Sequence, residues 1–109
     1  MERFVRGDIV VIPFPFSDLT QAKRRPALIL SVLHGNDLIL CQITSKEIRD
    51  KYAVILQSED FESGSLNRTS NIRPNRLFTA DVNIVLYKVG NLRSSKMHVV
   101  LKVVINLFD

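Results

Sequence analysis

The segment from Arg6 to Leu30 constrains this chain most, because it sets a polar, basic stretch between two apolar runs. Ile9 to Phe14 is β-branched and apolar, with Gly7 before it and prolines after it, which predicts a strand. Pro13 and Pro15 have no N–H to donate, so the ladder must end there or run along an edge. Ser17 to Arg25 is polar and predicts a long loop that finishes in Lys23-Arg24-Arg25. Ala27 to Leu33 is a second, nearly continuous apolar run.

The remaining chain continues the pattern of short strands. His34-Gly35-Asn36-Asp37 predicts a turn, since Gly and Asn tolerate positive φ, and Leu38 to Thr44 completes a hairpin with the second run. Tyr52 to Gln57 predicts a fourth strand, and Ser58 to Ser65 a loop. Thr69 to Ile72 and Arg76 to Thr79 read as short strand pieces separated by Pro74, and Ile84 to Val89 as a last strand ending at Gly90. Ser94 to Phe108 is ambiguous. Met97, Val100, Leu101, Val104 and Phe108 fit helical spacing, and Ser94 or Ser95 can cap the start. Its many β-branched residues favour strand instead. About 15 residues without Gly or Pro is long for a strand, so a helix is expected. Such a helix is apolar on nearly every side and needs cover on nearly every side, from the sheet and from a second subunit. Strands followed by one helix predict a small, strongly curved antiparallel sheet closed by that helix.

At 109 residues the chain is expected to form one domain, residues 1–109, and its 46% hydrophobic content excludes a disordered protein. No apolar run approaches the roughly 18 residues of a membrane helix, so no membrane partner is expected. The N-terminus runs into charge rather than a signal-peptide core, which predicts a cytoplasmic protein. Cys41 is the only cysteine, which leaves no intrachain disulfide or cysteine-built metal site; it should be a buried small hydrophobe.

The net charge of +4 favours an anionic partner, and its distribution says more than its total. Lys23, Arg24 and Arg25 sit together, and Arg68, Arg73 and Arg76 recur among Asn67, Thr69, Ser70, Asn71 and Asn75. Guanidinium groups beside short polar side chains suit phosphate contacts; solvated loops are the other reading. Phe14 and Phe16 could stack bases or pack in a core or dimer interface. Gly7 and Asp8 are expected to set the first turn.

Several of these motifs, taken in order, resemble the MazF/PemK-type toxin family. Gly7-Asp8-Ile9-Val10 matches its opening strand, Arg25-Pro26-Ala27-Leu28-Ile29-Leu30 its Arg-Pro plus apolar strand, and Leu40-Cys41-Gln42-Ile43-Thr44-Ser45 its apolar strand ending in Thr. Gly90-Asn91-Leu92 before the terminal helix resembles the family's closing Gly-x-Leu. The resemblance spans nearly the whole chain, and is vague from about Lys46 to Val89. It implies an SH3-like, strongly bent antiparallel barrel with one C-terminal helix, of the MazF/PemK/CcdB type, forming a homodimer. It implies a sequence-specific, metal-independent endoribonuclease acting on single-stranded RNA with no cofactor, and a cognate antitoxin protein that covers the RNA groove. By the same resemblance Arg25 and Thr44 are catalytic. Asp18, Gln21, Lys23, Arg24, Ser45, Arg73 and Arg76 are candidate RNA-binding residues. The acidic residue several members carry in the first loop has no counterpart in Leu19-Thr20-Gln21-Ala22-Lys23-Arg24, so the cleavage sequence does not transfer.

Arg25 suits stabilisation of a phosphorane, because its fixed cationic fork matches phosphate oxygens. Thr44 can hydrogen-bond a phosphate oxygen or the 2′-OH. Neither is an evident general base. His34 in a turn and His98 in the helix match no catalytic position of the family and read as surface or structural groups; Asp18 is a candidate base, or else a solvated carboxylate or cap. Competing functions are a non-catalytic nucleic-acid-binding barrel and a topoisomerase (gyrase) poison of the same fold. The latter depends on a Trp-containing tail, whereas this chain has no Trp and closes on Asn106-Leu107-Phe108-Asp109.

Overall fold

Burial on both faces of the first three strands builds the molecule around two apolar layers. The structure, a computed structural model, describes residues 3–14 and 23–109. β1 (Asp8–Phe14), β2 (Lys23–Val32) and β3 (Asp37–Thr44) form an antiparallel meander. Ile9, Leu28, Leu30, Cys41 and Ile43 point to one face, while Val10, Ile12, Ala27, Ile29, Leu38 and Leu40 point to the other. Near-continuous apolar runs therefore mark strands covered on both sides. Cys41 is fully buried among them, and burial pushes its thiol up to about 12, so it is a packing residue as expected.

The other strands wrap around this centre. β4 (Val54–Leu56) and β5 (Phe61–Gly64) are the edges; β6 (Ser70–Asp81) pairs with β3 and β4, and β7 (Tyr87–Leu92) with β1 and β5. The result is one seven-stranded sheet in the order β4-β6-β3-β2-β1-β7-β5. Register breaks between Ile9 and Val10, Ile29 and Ser31, and Cys41 and Gln42 add local twist, and the sheet curls into a half-barrel. The helix α1 (Ser94–Asn106) covers the first face, with Met97 and Val100 buried against it. The second face is covered by the sheet's own curl, through Phe14, Phe78 and Ala80, and by Phe4, Val82 and Val85 from the segments before β1 and between β6 and β7. The expected bent antiparallel sheet with a single closing helix is the fold found.

Four local expectations are corrected. Lys23, Arg24 and Arg25 belong to β2 rather than to the preceding loop, because they pair with Phe14, Pro13 and Ile12. Phe61–Gly64, expected as loop, is a strand that buries Phe61 and pairs with β7. Pro74 does not divide β6: Gln42 faces Arg73 and Cys41 faces Leu77, so Pro74, Asn75 and Arg76 bulge out where no ladder donor is needed. Strand β7 starts at Tyr87, after a 3-10 turn over Val82–Ile84, and continues through Gly90. Pro13 behaves as expected, since the β1–β7 pairing ends at Val11.

The helix start is also built differently from the expected serine cap. Arg93 is the N-cap and its side chain makes no capping bond; Ser94 is already helical. The start is fastened instead by Arg93, whose N–H donates to the Asp60 carbonyl at 2.8 Å and whose guanidinium reaches the Glu59 carbonyl and the Glu62 carboxylate. Beside the end of β7, Gly7, at φ 96°, turns the chain, and the buried Asp8 carboxylate accepts from the Val5 N–H at 2.9 Å.

Gly90 and Gly64 face each other across β5 and β7. A Cβ at Gly90 would run into the Ser63 carbonyl and lie 2.9 Å from the Phe61 ring. Gly90→Ala should therefore destabilise the fold by about 1–3 kcal/mol, read as a lowered midpoint in urea denaturation with unchanged slope.

Candidate active site

The second apolar face ends in polar residues, and that change makes the site. Gln42 and Thr44 continue the face begun by Leu38 and Leu40, and Arg25 continues the face of Ala27 and Ile29. Ala27 pairs with Gln42, so the same register carried two residues further sets Arg25 opposite Thr44. On the other side of β3, Arg73 pairs with Gln42 and Asn71 with Thr44. Arg25, Thr44, Gln42 and Arg73 thus line one open cleft of about 410 Å³. Arg76, delivered by the Pro74 bulge, and Lys46 and Ile48, from the segment after β3, complete its walls; Phe14 closes one end. Phe14 also packs edge-on against Phe78, with ring centroids 5.2 Å apart, so it is a core residue that borders the cleft.

A second concavity of about 310 Å³ shares Arg25, Pro26 and Thr44 and extends the other way, to Arg24, Ser45, Asn67 and Arg68. Arg25 and Thr44 stand at the junction of the two. The candidate residues therefore divide: Arg73 and Arg76 in the main cleft, Arg24 and Ser45 in the neighbouring groove, and Lys23 exposed opposite Phe14 at the start of β2. Asp18, Gln21 and Phe16 lie outside the described residues. His34 and His98 are exposed, in the β2–β3 turn and on the helix, and line neither concavity.

The cleft is cationic. Among the described residues, no carboxylate or imidazole lines it, and Arg25, Arg76 and Lys46 take part in no ion pair. Arg73 differs: its Nη2 donates to Asp50 Oδ2 at 3.1 Å. Asp50 Oδ1 accepts from the N–H groups of Tyr52 and Ala53, at 2.9 and 3.0 Å. Partial burial acts to raise the Asp50 carboxyl. The Tyr52 amide, the Arg73 guanidinium and the Ala53 amide outweigh it and hold the group below its ordinary value. A further bond, from Asn71 Nδ2 to the Lys46 carbonyl at 3.1 Å, fastens the same loop to β6. No group of three or more potential metal-ligating side chains occurs among the described residues.

Gln42, Lys46 and Asp50 escaped the sequence reading, which had Asn71 only among the short polar residues between the arginines. Gln42 carried a signal: it is a polar residue two before Thr44 in an apolar run, hence on the same face. Lys46 and Asp50 carried none, because only the fold brings the 45–53 segment against β6.

Because the Asp50 pKa is lowered in the folded state, the carboxylate adds stability at neutral pH, and this is lost as pH falls through that lowered value. In a 13C carboxyl titration Asp50 should titrate below an ordinary aspartate, and Arg73→Gln should move its midpoint up.

With this geometry in hand, known proteins give a consistent placement. A family model described as PemK-like, MazF-like toxin of type II toxin–antitoxin systems matches residues 5–108. No curated protein sequence matches significantly. Among solved structures, the MazF of a Deinococcus radiodurans MazE–MazF complex superposes with TM-score 0.77 at 16% identity, over 95% of this chain and 94% of its own. The Mycobacterium tuberculosis toxin MazF-mt6 superposes with TM-score 0.72 at 22% identity, over 94% and 96%. A mycobacterial endoribonuclease, solved in complex with its cognate antitoxin, does so with TM-score 0.75 at 14% identity, over 99% and 95%. The fold is therefore that of these toxins, and the family match over nearly its full length makes this chain a member of the PemK-like, MazF-like toxins of type II toxin–antitoxin systems.

Proposed function

We propose that this chain is a sequence-specific, metal-independent endoribonuclease that cleaves single-stranded RNA, including mRNA, and so inhibits translation and growth. The observation that carries the reading is the convergence of Arg25 and Thr44 on one open cleft, where Arg76 and Lys46 also stand and make no ion pair among the described residues. Phosphate oxygens are the natural partners of such a site. A general nucleic-acid-binding barrel would need the cations but not Arg25 and Thr44 at the meeting point of two grooves.

The reaction follows from the groups at hand. The 2′-oxygen of the substrate attacks the adjacent phosphorus and passes its proton to solvent water, and the P–O5′ bond breaks as the departing 5′-oxygen takes a proton from water. The products are a 2′,3′-cyclic phosphate and a 5′-hydroxyl. Arg25 stabilises the negative charge that grows on the non-bridging oxygens, where a preorganised donor can contribute about 3–4 kcal/mol. Thr44 hydrogen-bonds a phosphate oxygen or the 2′-OH. Arg76 and Lys46 hold flanking phosphates, and Arg24 and Ser45 continue the path on the far side of Arg25. Charge stabilisation by protein cations replaces a metal ion in this scheme.

A cognate antitoxin would act by covering this cleft, and acidic side chains would suit its charge. A homodimer is part of the reading, supported by α1: Val99, Ile105 and Phe108 are 49%, 63% and 76% exposed. Action on mRNA would have the protein work in the cytoplasm.

Purified protein should cut a long single-stranded RNA in EDTA at discrete sites, leaving 5′-hydroxyl ends that polynucleotide kinase labels without phosphatase treatment. Arg25→Ala should slow single-turnover cleavage about 10²–10³-fold, and Thr44→Ala about 10–10²-fold, the worth of one hydrogen bond to a charged group. Circular dichroism should show both variants folded. An active, folded Arg25→Ala variant would overturn the assignment.

A further inference from the structure

The cations around the cleft are not equivalent, and the difference assigns a role to a residue outside it. Arg25, Arg76 and Lys46 have no ionic partner among the described residues; Arg73 is held by Asp50. This pair is unlike an ordinary surface pair. Arg73 and Asp50 side chains are 19% and 27% exposed, against 88% and 79% for Arg49 and Glu47. The carboxylate is engaged on both oxygens: Oδ1 by the Tyr52 and Ala53 amides, Oδ2 by Arg73. Asp50 cannot swing away without releasing the turn that follows it. Arg73 in turn is rooted in β6 opposite Gln42, immediately before the Pro74 bulge. Its Nε is buried, which holds the root of the guanidinium in place, so what Arg73 offers a ligand comes from its Nη groups.

We propose that Asp50 is a positioning residue for RNA recognition: it neutralises Arg73 and fixes its guanidinium at the cleft wall, so that Arg73 discriminates between RNA sequences instead of adding to general phosphate attraction. The inference rests on the RNA-cleaving reading above and deepens it. An arginine whose charge is compensated contributes little to the counterion release that drives sequence-independent binding. The same arginine, held planar and in one place, is suited to hydrogen bonds with a base edge. Selectivity then comes from a cation that is locally paid off, and affinity from the cations that are not.

Asp50→Asn isolates the effect. The amide oxygen can still accept from Tyr52 and Ala53, and the Asn71 bond to Lys46 still fastens the loop, but Arg73 loses its counter-charge. The assay uses the full chain carrying Arg25→Ala, so that binding is read before appreciable cleavage. The probes are a fluorescein-labelled single-stranded RNA of mixed sequence and a uridine homopolymer of the same length. Anisotropy titrations over a salt series give affinity and salt slope together.

In Asp50→Asn the slope of log K against log salt should steepen by about 0.7, the value for one more phosphate neutralised on a single strand, with both RNAs. The affinity ratio between the RNAs should narrow. In D50N/R73Q the added slope should disappear. Arg73→Gln alone should leave the slope unchanged and still narrow the ratio; this arm decides the question if Asp50→Asn does not fold. An unchanged slope in Asp50→Asn, a steeper slope that persists in D50N/R73Q, or a slope shallower by about 0.7 in Arg73→Gln would each overturn the proposal while leaving the nuclease reading intact. No RNA binding by the parent protein would remove both.

Discussion

Two-sided burial of β1, β2 and β3 is the constraint on which the rest depends. A strand with both faces apolar must be covered twice, and this chain has one helix to do it. The helix covers one face. The other can be covered only if the sheet bends over itself, and the register breaks at Ile9/Val10, Ile29/Ser31 and Cys41/Gln42 supply the bend. Where β2 and β3 run beyond the curl, their inward-facing positions are no longer buried. Arg25, Gln42 and Thr44 occupy those positions, so the site is the unroofed end of the second core.

The same geometry settles the electrostatics. A cleft walled by three neighbouring strands brings side chains from distant parts of the sequence together, and those it gathers are mostly cations and neutral hydrogen-bonding groups. Asp50 lies behind the wall and is committed to Arg73 and two backbone amides, so its charge is spent locally. The lining of the cleft therefore carries only positive side-chain charge among the described residues. That suits a polyanion, and it suits transition-state charge better than proton abstraction.

Much of this was legible in the sequence because both-faces-apolar strands and a long uninterrupted apolar segment leave strong patterns. β1, the β2–β3 hairpin, its Gly35 turn and the terminal helix were read from residues alone, and Arg25 and Thr44 through the family resemblance. What was not legible depends on partners far along the chain. Phe61-Glu62-Ser63-Gly64 is polar because an edge strand buries only Phe61, so its pairing with β7 has no local signature. Pro74 reads as a break unless the opposing register of β3 is known to bulge it out. Gly90 reads as a strand end because nothing nearby announces Gly64 across the ladder. Asp50 sits in an ordinary charged segment, and its bond to Arg73 spans 23 residues.

The central claim is that RNA is bound with its scissile phosphate at the junction marked by Arg25 and Thr44. Its most direct test is NMR shift mapping of the labelled protein with a single-stranded RNA made uncleavable by 2′-deoxy substitution at the mapped cut site. The account predicts that the largest shifts cluster on Arg25, Gln42, Thr44, Lys46 and Arg73, with smaller ones on Arg24 and Asn67. Shifts confined to the exposed face of α1, with Arg25 and Thr44 unmoved, would contradict it.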